Sequence, residues 1–211
     1  MFTGGMFITL EGGEGAGKST LLNSLAGHLN SVGIEVVTTR EPGGTPLAEA
    51  VRNLTLHPPG DSWSATAEAL LMNAARNDHL EKVIRPALDR GAWVICDRFS
   101  DSTRAYQSVS EGLKMQDLKK FEKIVVGKTA PHLTLILDAP IGQLRVRRGA
   151  ESDAFEERGM QFHHAVREAF LEIAEDEPER CVVIDALLSP EKVLREALSA
   201  IKARSDAAQA A

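Results

Sequence analysis

The sequence has 211 residues and a formal net charge of −6, and 43% of its residues are hydrophobic. This length suits one domain with a sizeable core, so residues 1–211 are predicted to form a single domain. The negative charge gives no sign of a general nucleic-acid surface, and there is no apolar run of membrane-spanning length and no signal peptide pattern. Cys96 and Cys181 lie in apolar runs, which indicates buried thiols. We therefore expect a soluble cytoplasmic protein with neither nucleic-acid nor membrane partners.

A glycine-rich turn follows the first apolar run and precedes a helical pattern. Residues 12–19 fit G-x-x-x-x-G-K-[ST], the pattern of a phosphate-binding P-loop. Glycines let backbone N–H groups approach a phosphate, and the next helix adds its dipole. Lys18 would neutralise the β and γ phosphates and the Ser19 hydroxyl would bind Mg²⁺, whereas a chance glycine turn would explain neither the run before it nor the helix after it. The predicted nucleotide-binding residues are Gly12, Gly13, Glu14, Gly15, Ala16, Gly17, Lys18, Ser19 and Thr20.

Short apolar runs rich in valine, isoleucine and leucine recur along the chain. They are continuous rather than alternating, which is typical of strands buried on both faces, and helical patterns separate them. The sequence therefore predicts an α/β fold of three layers, with a five-stranded parallel sheet between helices. Ligands bind such sheets beyond the carboxyl ends of the strands. The predicted strands are Phe7–Leu10, Ile34–Thr38, Trp93–Cys96, Leu133–Leu137 and Cys181–Ile184.

A charged turn, Thr39–Pro46, follows the second run, and its Pro-Gly-Gly sequence interrupts regular structure. Pro46 suits the first position of the next helix. Local chemistry leaves two interpretations open, a turn at the ligand edge of the sheet and a surface turn that only carries charges.

A long helical pattern, Ser64–Asp89, comes next and is predicted to bend or end at Pro86. Arg76 lies close to its apolar side, although an exposed charge is the commoner fate of an arginine on a helix. The residues predicted to form the apolar side are Ala67, Leu70, Leu71, Ala74, Ala75 and His79.

Asp97 and Arg98 follow the third run directly. A carboxylate at this strand end suits the water shell of Mg²⁺, and the planar fork of Arg98 could hold a phosphate. The alternative is a structural Asp–Arg pair. Further on, the helical pattern Gln116–Lys128 is interpreted as a packing helix, with a dimer face as the other possibility.

An arginine cluster, Arg145, Arg147 and Arg148, begins a charged and weakly hydrophobic stretch. At the ligand edge of a P-loop sheet, such a stretch at about residues 142–160 indicates a mobile lid, while composition alone would favour a solvated charge run. A basic lid suits phosphoryl transfer, which must exclude water from the reacting phosphates. Regulatory GTPases would need an Asn-Lys-x-Asp segment, which the sequence lacks.

The sequence resembles thymidylate kinases of the bacterial type over about residues 6–185. The resemblance is carried by the P-loop, Thr39–Thr45, Ala74–Arg76, Asp97–Phe99, Ser102–Gln107, Leu137–Asp138 and the arginine-rich lid. It implies a Mg²⁺-dependent transfer of the ATP γ-phosphoryl group to dTMP, in a homodimer formed through helices. Another small P-loop nucleotide or deoxynucleoside kinase is the nearest alternative, and a non-catalytic nucleotide-binding switch is a more distant one.

The resemblance also implies roles for individual residues. Glu14 would lie near the sugar 3′-hydroxyl, and Arg98 would hold the dTMP phosphate. Arg76 and Thr103 would meet the edge of thymine, and Tyr106 would pack on the deoxyribose and exclude a ribose hydroxyl. Glu41 and Gln107 belong to the shared motifs and complete the predicted acceptor site.

Two positions, Gly15 and Met72, bear on the type of thymidylate kinase that the sequence resembles and on the nucleotide base that it would bind. Gly15 stands where animal-type relatives carry arginine, and the lid arginines Arg145, Arg147 and Arg148 would compensate for its absence. Together with Lys18 and Arg98 they are the predicted catalytic residues. Met72 stands where the family usually has a phenylalanine that stacks on thymine. A methionine can cover an aromatic face with its polarizable sulfur, so Met72 is assigned to the same role. Asp97 and Ser19 are the predicted metal-binding residues.

Overall fold

The computed structural model describes residues 5–60, 62–110, 112–147 and 158–210, apart from the side chains at 145–147 and 208–210. Its centre is a parallel sheet of five strands in the order β2-β3-β1-β4-β5. The predicted α/β class and the predicted sheet are confirmed, with strand ends that differ by one or two residues. The strands are β1 Phe7–Gly12, β2 Val36–Arg40, β3 Trp93–Asp97, β4 Leu133–Asp138 and β5 Cys181–Asp185.

The central strands β1, β3 and β4 are buried along almost their whole length. The edge strands differ, since Val36 and Val37 of β2 are half-buried and Val183 of β5 is 43% exposed. The prediction of strands buried on both faces is therefore wrong for the edges. An edge strand has a neighbour on one side only, and the helices that cover the sheet leave it partly open.

Helices cover both faces of the sheet, as the three-layer prediction requires. The helices α1 and α9 pack on one face, while the region from α3 to α4 packs on the other face with α5, α6 and α8. Within the part of the chain that is described, no helix is both long and apolar enough to cross a membrane. The α-helices are α1 Lys18–Ser31, α2 Pro46–Leu56, α3 Ala65–His79, α4 Arg85–Asp89, α5 Ser100–Ser108, α6 Met115–Val125, α7 Ile141–Arg147, α8 Met160–Asp176 and α9 Pro190–Ala210.

The buried side of α3 is only partly the predicted one, since Ala75 and His79 are buried as predicted. Leu70 is 52% exposed and Ala74 is also exposed, although both belong to the predicted apolar side. The prediction followed from the rule that a helix usually buries its apolar side. This helix instead lies at the ligand edge of the sheet, where its Arg76 forms hydrogen bonds with the polar side chains of Glu41 and Thr103. The buried side chains of α3 that were not on the predicted side include Glu68, Met72, Asn73 and Arg76.

Pro86 does not end the helical region. A π-helical turn, Leu80–Ile84, joins α3 to α4, and the helix continues to Asp89. A proline has no N–H, and its ring collides with the carbonyl group four residues earlier in a regular α-helix. A wider π turn just before Pro86 avoids that collision, and Leu80 and Ile84 then pack against the sheet.

Candidate active site

The P-loop connects β1 to α1 and forms the floor of a cleft of about 690 Å³. Gly12 has a φ of 122°, and a Cβ there would collide with the carbonyl oxygen of Leu137, so β1 can lie this close to β4 only with glycine. The Lys18 amino group donates to the carbonyl oxygens of Gly12 and Gly13 at 3.2 and 2.8 Å. Burial and the nearby Arg98 lower the pKa of Lys18 to about 8, so an anion bound in the loop would restore its full charge.

The far wall of this cleft comes from the end of β5 and the start of α9. Ala186, Leu188, Pro190 and Val193 line it, and the sequence analysis assigned none of them. The position beyond the carboxyl end of the fifth strand could have identified them. Their mostly apolar side chains make this end of the cleft suitable for a nucleotide base.

Ser19 and Asp97 lie together at the mouth of the P-loop. The Ser19 hydroxyl donates to Asp97 Oδ2 at 3.1 Å, and both residues line the cleft. Mg²⁺ prefers oxygen ligands and is usually held by one or two carboxylates together with substrate phosphates and water. A hydroxyl beside a carboxylate next to a phosphate cradle therefore fits a Mg²⁺ site.

Arg98 forms the wall between the P-loop and the start of α5. Its backbone has a φ of 69°, which turns the side chain back towards the P-loop. The guanidinium forms an ion pair with Glu14, donates to Ser102 Oγ at 3.0 Å and lies 5.2 Å from the ring centre of Tyr106. Burial acts to lower the pKa of Arg98, but the Tyr106 hydroxyl and nearby carboxyl groups, such as that of Glu14, raise it above its usual value. Arg98 therefore presents a permanent positive charge to the site.

A second cavity, of about 270 Å³, lies on the other side of Arg98. Every residue predicted for the acceptor site lines it, so the structure brings together residues from the P-loop, the turn after β2, α3 and α5. Its lining is Glu14, Glu41, Pro42, Arg52, Leu56, Met72, Arg76, Arg98, Phe99, Ser102, Thr103, Tyr106 and Gln107.

The two cavities share part of their lining. Glu14, Glu41, Arg52 and Arg98 belong to both, so two ligands would meet beside two arginines. Arg52 of α2 was missed because the sequence analysis searched strand ends and not the helix after the turn. Its guanidinium donates to the carbonyl oxygen of Pro42 at 3.1 Å. The helix that carries it begins at Pro46.

Arg76 is buried, which excludes the interpretation of an exposed charge on a helix. Its Nε donates to Glu41 Oε2 at 2.7 Å, and one terminal nitrogen donates to Thr103 Oγ1 at 2.9 Å and the Phe99 carbonyl at 3.1 Å. The other terminal nitrogen contacts Asn73 Oδ1 at 3.4 Å. An arginine has five N–H groups, so these contacts leave one donor on that second nitrogen for a ligand.

Glu11 directly precedes the P-loop, and the sequence analysis assigned no role to it. Its carboxyl group is fully buried at the end of β1, where Oε1 accepts the Phe99 N–H at 2.7 Å and Oε2 accepts the Ser102 hydroxyl at 2.6 Å. Burial and the neighbouring Asp101 raise the pKa of Glu11 to about 8. Glu11 therefore ties the strand before the P-loop to the start of α5, next to Arg98.

The predicted lid residues are only partly described. Arg145 and Arg147 belong to α7, but their side chains lie outside the described part, as does Arg148 altogether. After this segment, Arg158 forms an ion pair with the buried carboxylate of Glu68. The same carboxylate accepts the amide of Gln107 at 3.0 Å.

The chain matches a family model described as thymidylate kinase over residues 10–197. A thymidylate kinase from Caulobacter vibrioides is 52% identical over 186 residues, which cover 87% of this chain and 89% of that protein. One from a Bradyrhizobium species is 48% identical, with 98% of this chain and 94% of that protein covered. A crystal structure of thymidylate kinase from Ehrlichia chaffeensis has a TM-score of 0.77 and 35% identity, and covers 94% of this chain and 99% of that one. The chain therefore belongs to the thymidylate kinase family and is of its bacterial type.

Proposed function

We propose that this protein transfers the γ-phosphoryl group of ATP to dTMP, giving ADP and dTDP. The observation that carries the proposal is the shared wall of the two cavities. A P-loop floors one of them, the predicted acceptor residues line the other, and Arg52 and Arg98 lie where both ligands would bring their phosphates. Membership of the thymidylate kinase family supports the same reaction.

The donor nucleotide would occupy the larger cleft. Its phosphates would lie in the P-loop against Lys18, and its base would lie towards Leu188 and Val193. Ser19 and Asp97 would hold Mg²⁺ at the phosphates. When bound, this ion would neutralise charge on the phosphate oxygens.

The acceptor phosphate would lie against Arg98 and Arg52. A phosphate monoester has a second pKa of about 6, so it is largely a dianion at neutral pH and needs no general base. The chemical difficulty is to bring two polyanions into line, and positive charge with fixed geometry overcomes it. We assign further charge to the predicted lid arginines, Arg145, Arg147 and Arg148.

The base would lie between Arg76 and Met72. The remaining N–H of Arg76 suits a ligand with a hydrogen-bond acceptor, such as the 4-carbonyl group of thymine or uracil. The 4-amino group of cytosine would instead place one donor against another. Met72 is 9% exposed and would cover one face of the base. Tyr106 is held edge-on by Phe162 and Phe170, at 6.1 and 6.2 Å between ring centres, and this fixed ring suits a wall against the sugar.

A coupled assay of ADP formation with dTMP, dUMP, dCMP, dGMP and thymidine tests the proposal. We expect dTMP to give the highest kcat/KM and thymidine to give no turnover. A higher kcat/KM with dCMP, dGMP or thymidine would favour another small P-loop kinase. Nucleotide binding without transfer to any of them would favour a switch protein.

We also propose a homodimer formed through α2, α3 and α6. These helices pack side by side, and Leu47, Leu70 and Ile124 on them are 50%, 52% and 79% exposed. Ile124 lies in the segment Gln116–Lys128, for which a dimer face was the second interpretation, and a partner copy would explain its exposure. Sedimentation should give a dimer that Leu70→Glu dissociates. Val32→Glu, at a similarly exposed position outside these helices, should leave it intact, and a monomeric wild type would refute the proposal.

A cytoplasmic location is proposed as well. Cys96 and Cys181 are both free and buried, which suits a reducing compartment. Cell fractionation with an antibody to the protein tests this, and recovery in a secreted or membrane fraction would contradict it.

A further inference from the structure

His79 is a fully buried histidine at the end of α3, and the proposed transfer does not use it. Its Nδ1 lies 3.0 Å from Glu41 Oε1, and its Nε2 lies 2.7 Å from the Thr39 hydroxyl oxygen. A carboxylate only accepts hydrogen bonds, so Nδ1 carries a proton and donates it to Glu41. The imidazole thus joins strand β2 to the acidic residue that follows it.

Each carboxylate oxygen of Glu41 accepts a hydrogen bond from a different side chain. One oxygen accepts from His79, and the other accepts from Arg76 Nε at 2.7 Å. All three side chains are at most 4% exposed, so water does not compete for these bonds. The imidazole therefore fixes one oxygen of the carboxylate. The carboxylate in turn acts together with the other hydrogen-bond partners of Arg76 to fix the guanidinium.

The turn after β2 is built around this imidazole. Gly44 has a φ of 84°, and a Cβ there would lie 2.6 Å from His79 Nε2. Beside it, the Thr45 hydroxyl donates to Asp78 Oδ2 at 2.5 Å and also accepts the N–H of Ala48, which caps α2. The turn and the end of α3 therefore form one body, with the imidazole between them.

The position of Arg76 matters because of its single remaining donor. Arg76 lines the acceptor cavity, and its contacts with Glu41 and Thr103 keep the guanidinium in its orientation there. A tilted guanidinium would still carry a positive charge, but it would no longer place one N–H against one carbonyl oxygen. A loss of orientation should therefore reduce discrimination between bases more than it reduces binding of phosphate.

We propose that His79 is a positioning residue that fixes Glu41 and, through it, Arg76, and so sets the preference for pyrimidine monophosphates with a carbonyl group at C4. This inference rests on the proposed function. It adds a residue that touches no substrate and gives the turn after β2 a part in base selection.

The test compares His79→Leu, which removes both polar contacts, with His79→Asn, which keeps a donor at the place of Nδ1. Thr39→Val removes the contact with Nε2 alone. His132 serves as a control far from the site, because its Nδ1 accepts the N–H of Phe7 at the amino end of β1, whereas ligands bind at the carboxyl ends of the strands. His132→Asn therefore removes a partly buried histidine without touching the site. For each variant we would measure kcat/KM for dTMP and for dCMP, the dissociation constant of ATP, and the thermal unfolding midpoint.

We expect His79→Leu to lower kcat/KM for dTMP by about 10- to 100-fold, the effect of leaving one buried charged acceptor unsatisfied. Turnover of dCMP should fall much less, and ATP binding should not change. His79→Asn should recover most of the dTMP loss, and Thr39→Val should show a smaller loss in the same direction. His132→Asn should leave the ratio of dTMP to dCMP unchanged.

Equal losses for dTMP and dCMP in the His79 variants would overturn the inference, since they would indicate a purely structural histidine. If His79→Leu fails to fold, the ratios for His79→Asn and Thr39→Val decide the question in the same way. A wild-type protein without dTMP turnover would instead overturn the proposed function, and this inference with it.

Discussion

Arg98→Ala should weaken the acceptor site far more than the ATP site. The Arg98 side chain is 15% exposed, and its fork contacts Glu14 and Ser102 at the wall between the cavities. A phosphate monoester would take two charge-assisted hydrogen bonds from it, each worth about 1.5–3 kcal/mol. Their loss totals about 3–6 kcal/mol, which lowers kcat/KM for dTMP by about 10²- to 10⁴-fold.

At the ATP site the same substitution has a compensating effect. Burial is the main cause of the lowered pKa of Lys18, and the charge of Arg98 is the second. Without Arg98 the pKa of Lys18 rises, so a larger fraction of Lys18 is charged near pH 8 and can hold the ATP phosphates. Separate calorimetric titrations of ATP and dTMP measure the two effects. Arg98→Lys, which keeps the charge but loses the fork, should give an intermediate loss for dTMP, and equal weakening of both nucleotides in Arg98→Ala would refute the assignment.

Three further predictions concern the P-loop, its strand and the turn after β2. Lys18→Ala should lower kcat by about 10²- to 10³-fold in the coupled assay without lowering the thermal midpoint, and full activity would contradict the scheme. Burial raises the pKa of Glu11 from 4.5 to about 8, so its contribution to the free energy of unfolding is present below pH 4.5 and is lost as pH rises to about 8. Glu11→Gln should weaken this dependence of the unfolding free energy on pH in denaturant titrations, and an unchanged dependence would exclude Glu11 as its source. Gly44→Ala should cost about 1–3 kcal/mol of unfolding free energy from its positive φ, plus a collision with His79. Gly27→Ala, with no atom within 4 Å of the new methyl, should be neutral or stabilising, and equal effects of both would contradict the strain argument.

Local signals in the sequence were enough for the sheet and the phosphate cradle. The apolar runs and the glycine spacing of the P-loop each act within one segment, so a pattern read along the chain identifies them. The ligand edge followed from the rule that parallel strands end together. That rule placed Asp97 and Arg98 at the ligand edge, and both line the larger cleft.

The burial of Arg76 could not be predicted in this way. Its partners Glu41, Phe99 and Thr103 come from the turn after β2, the end of β3 and α5, and no local pattern indicates that these segments meet around one guanidinium. The same limit explains why Leu70 and Ala74 were wrongly predicted on the buried side of α3. Arg52 was missed because its place in the site depends on how α2 packs after the turn.

The lining shared by the two cavities makes ATP and dTMP thermodynamically linked. Whatever factor dTMP imposes on the affinity for ATP, ATP must impose on the affinity for dTMP, because the free energy of the ternary complex does not depend on the order of binding. The residues that would contact both nucleotides, and so contribute to this coupling, are those that line both cavities, Glu14, Glu41, Arg52 and Arg98. A substitution at any of them will therefore appear in the constants of both nucleotides, and only a closed cycle of binary and ternary titrations separates an effect on one ligand from an effect on their coupling.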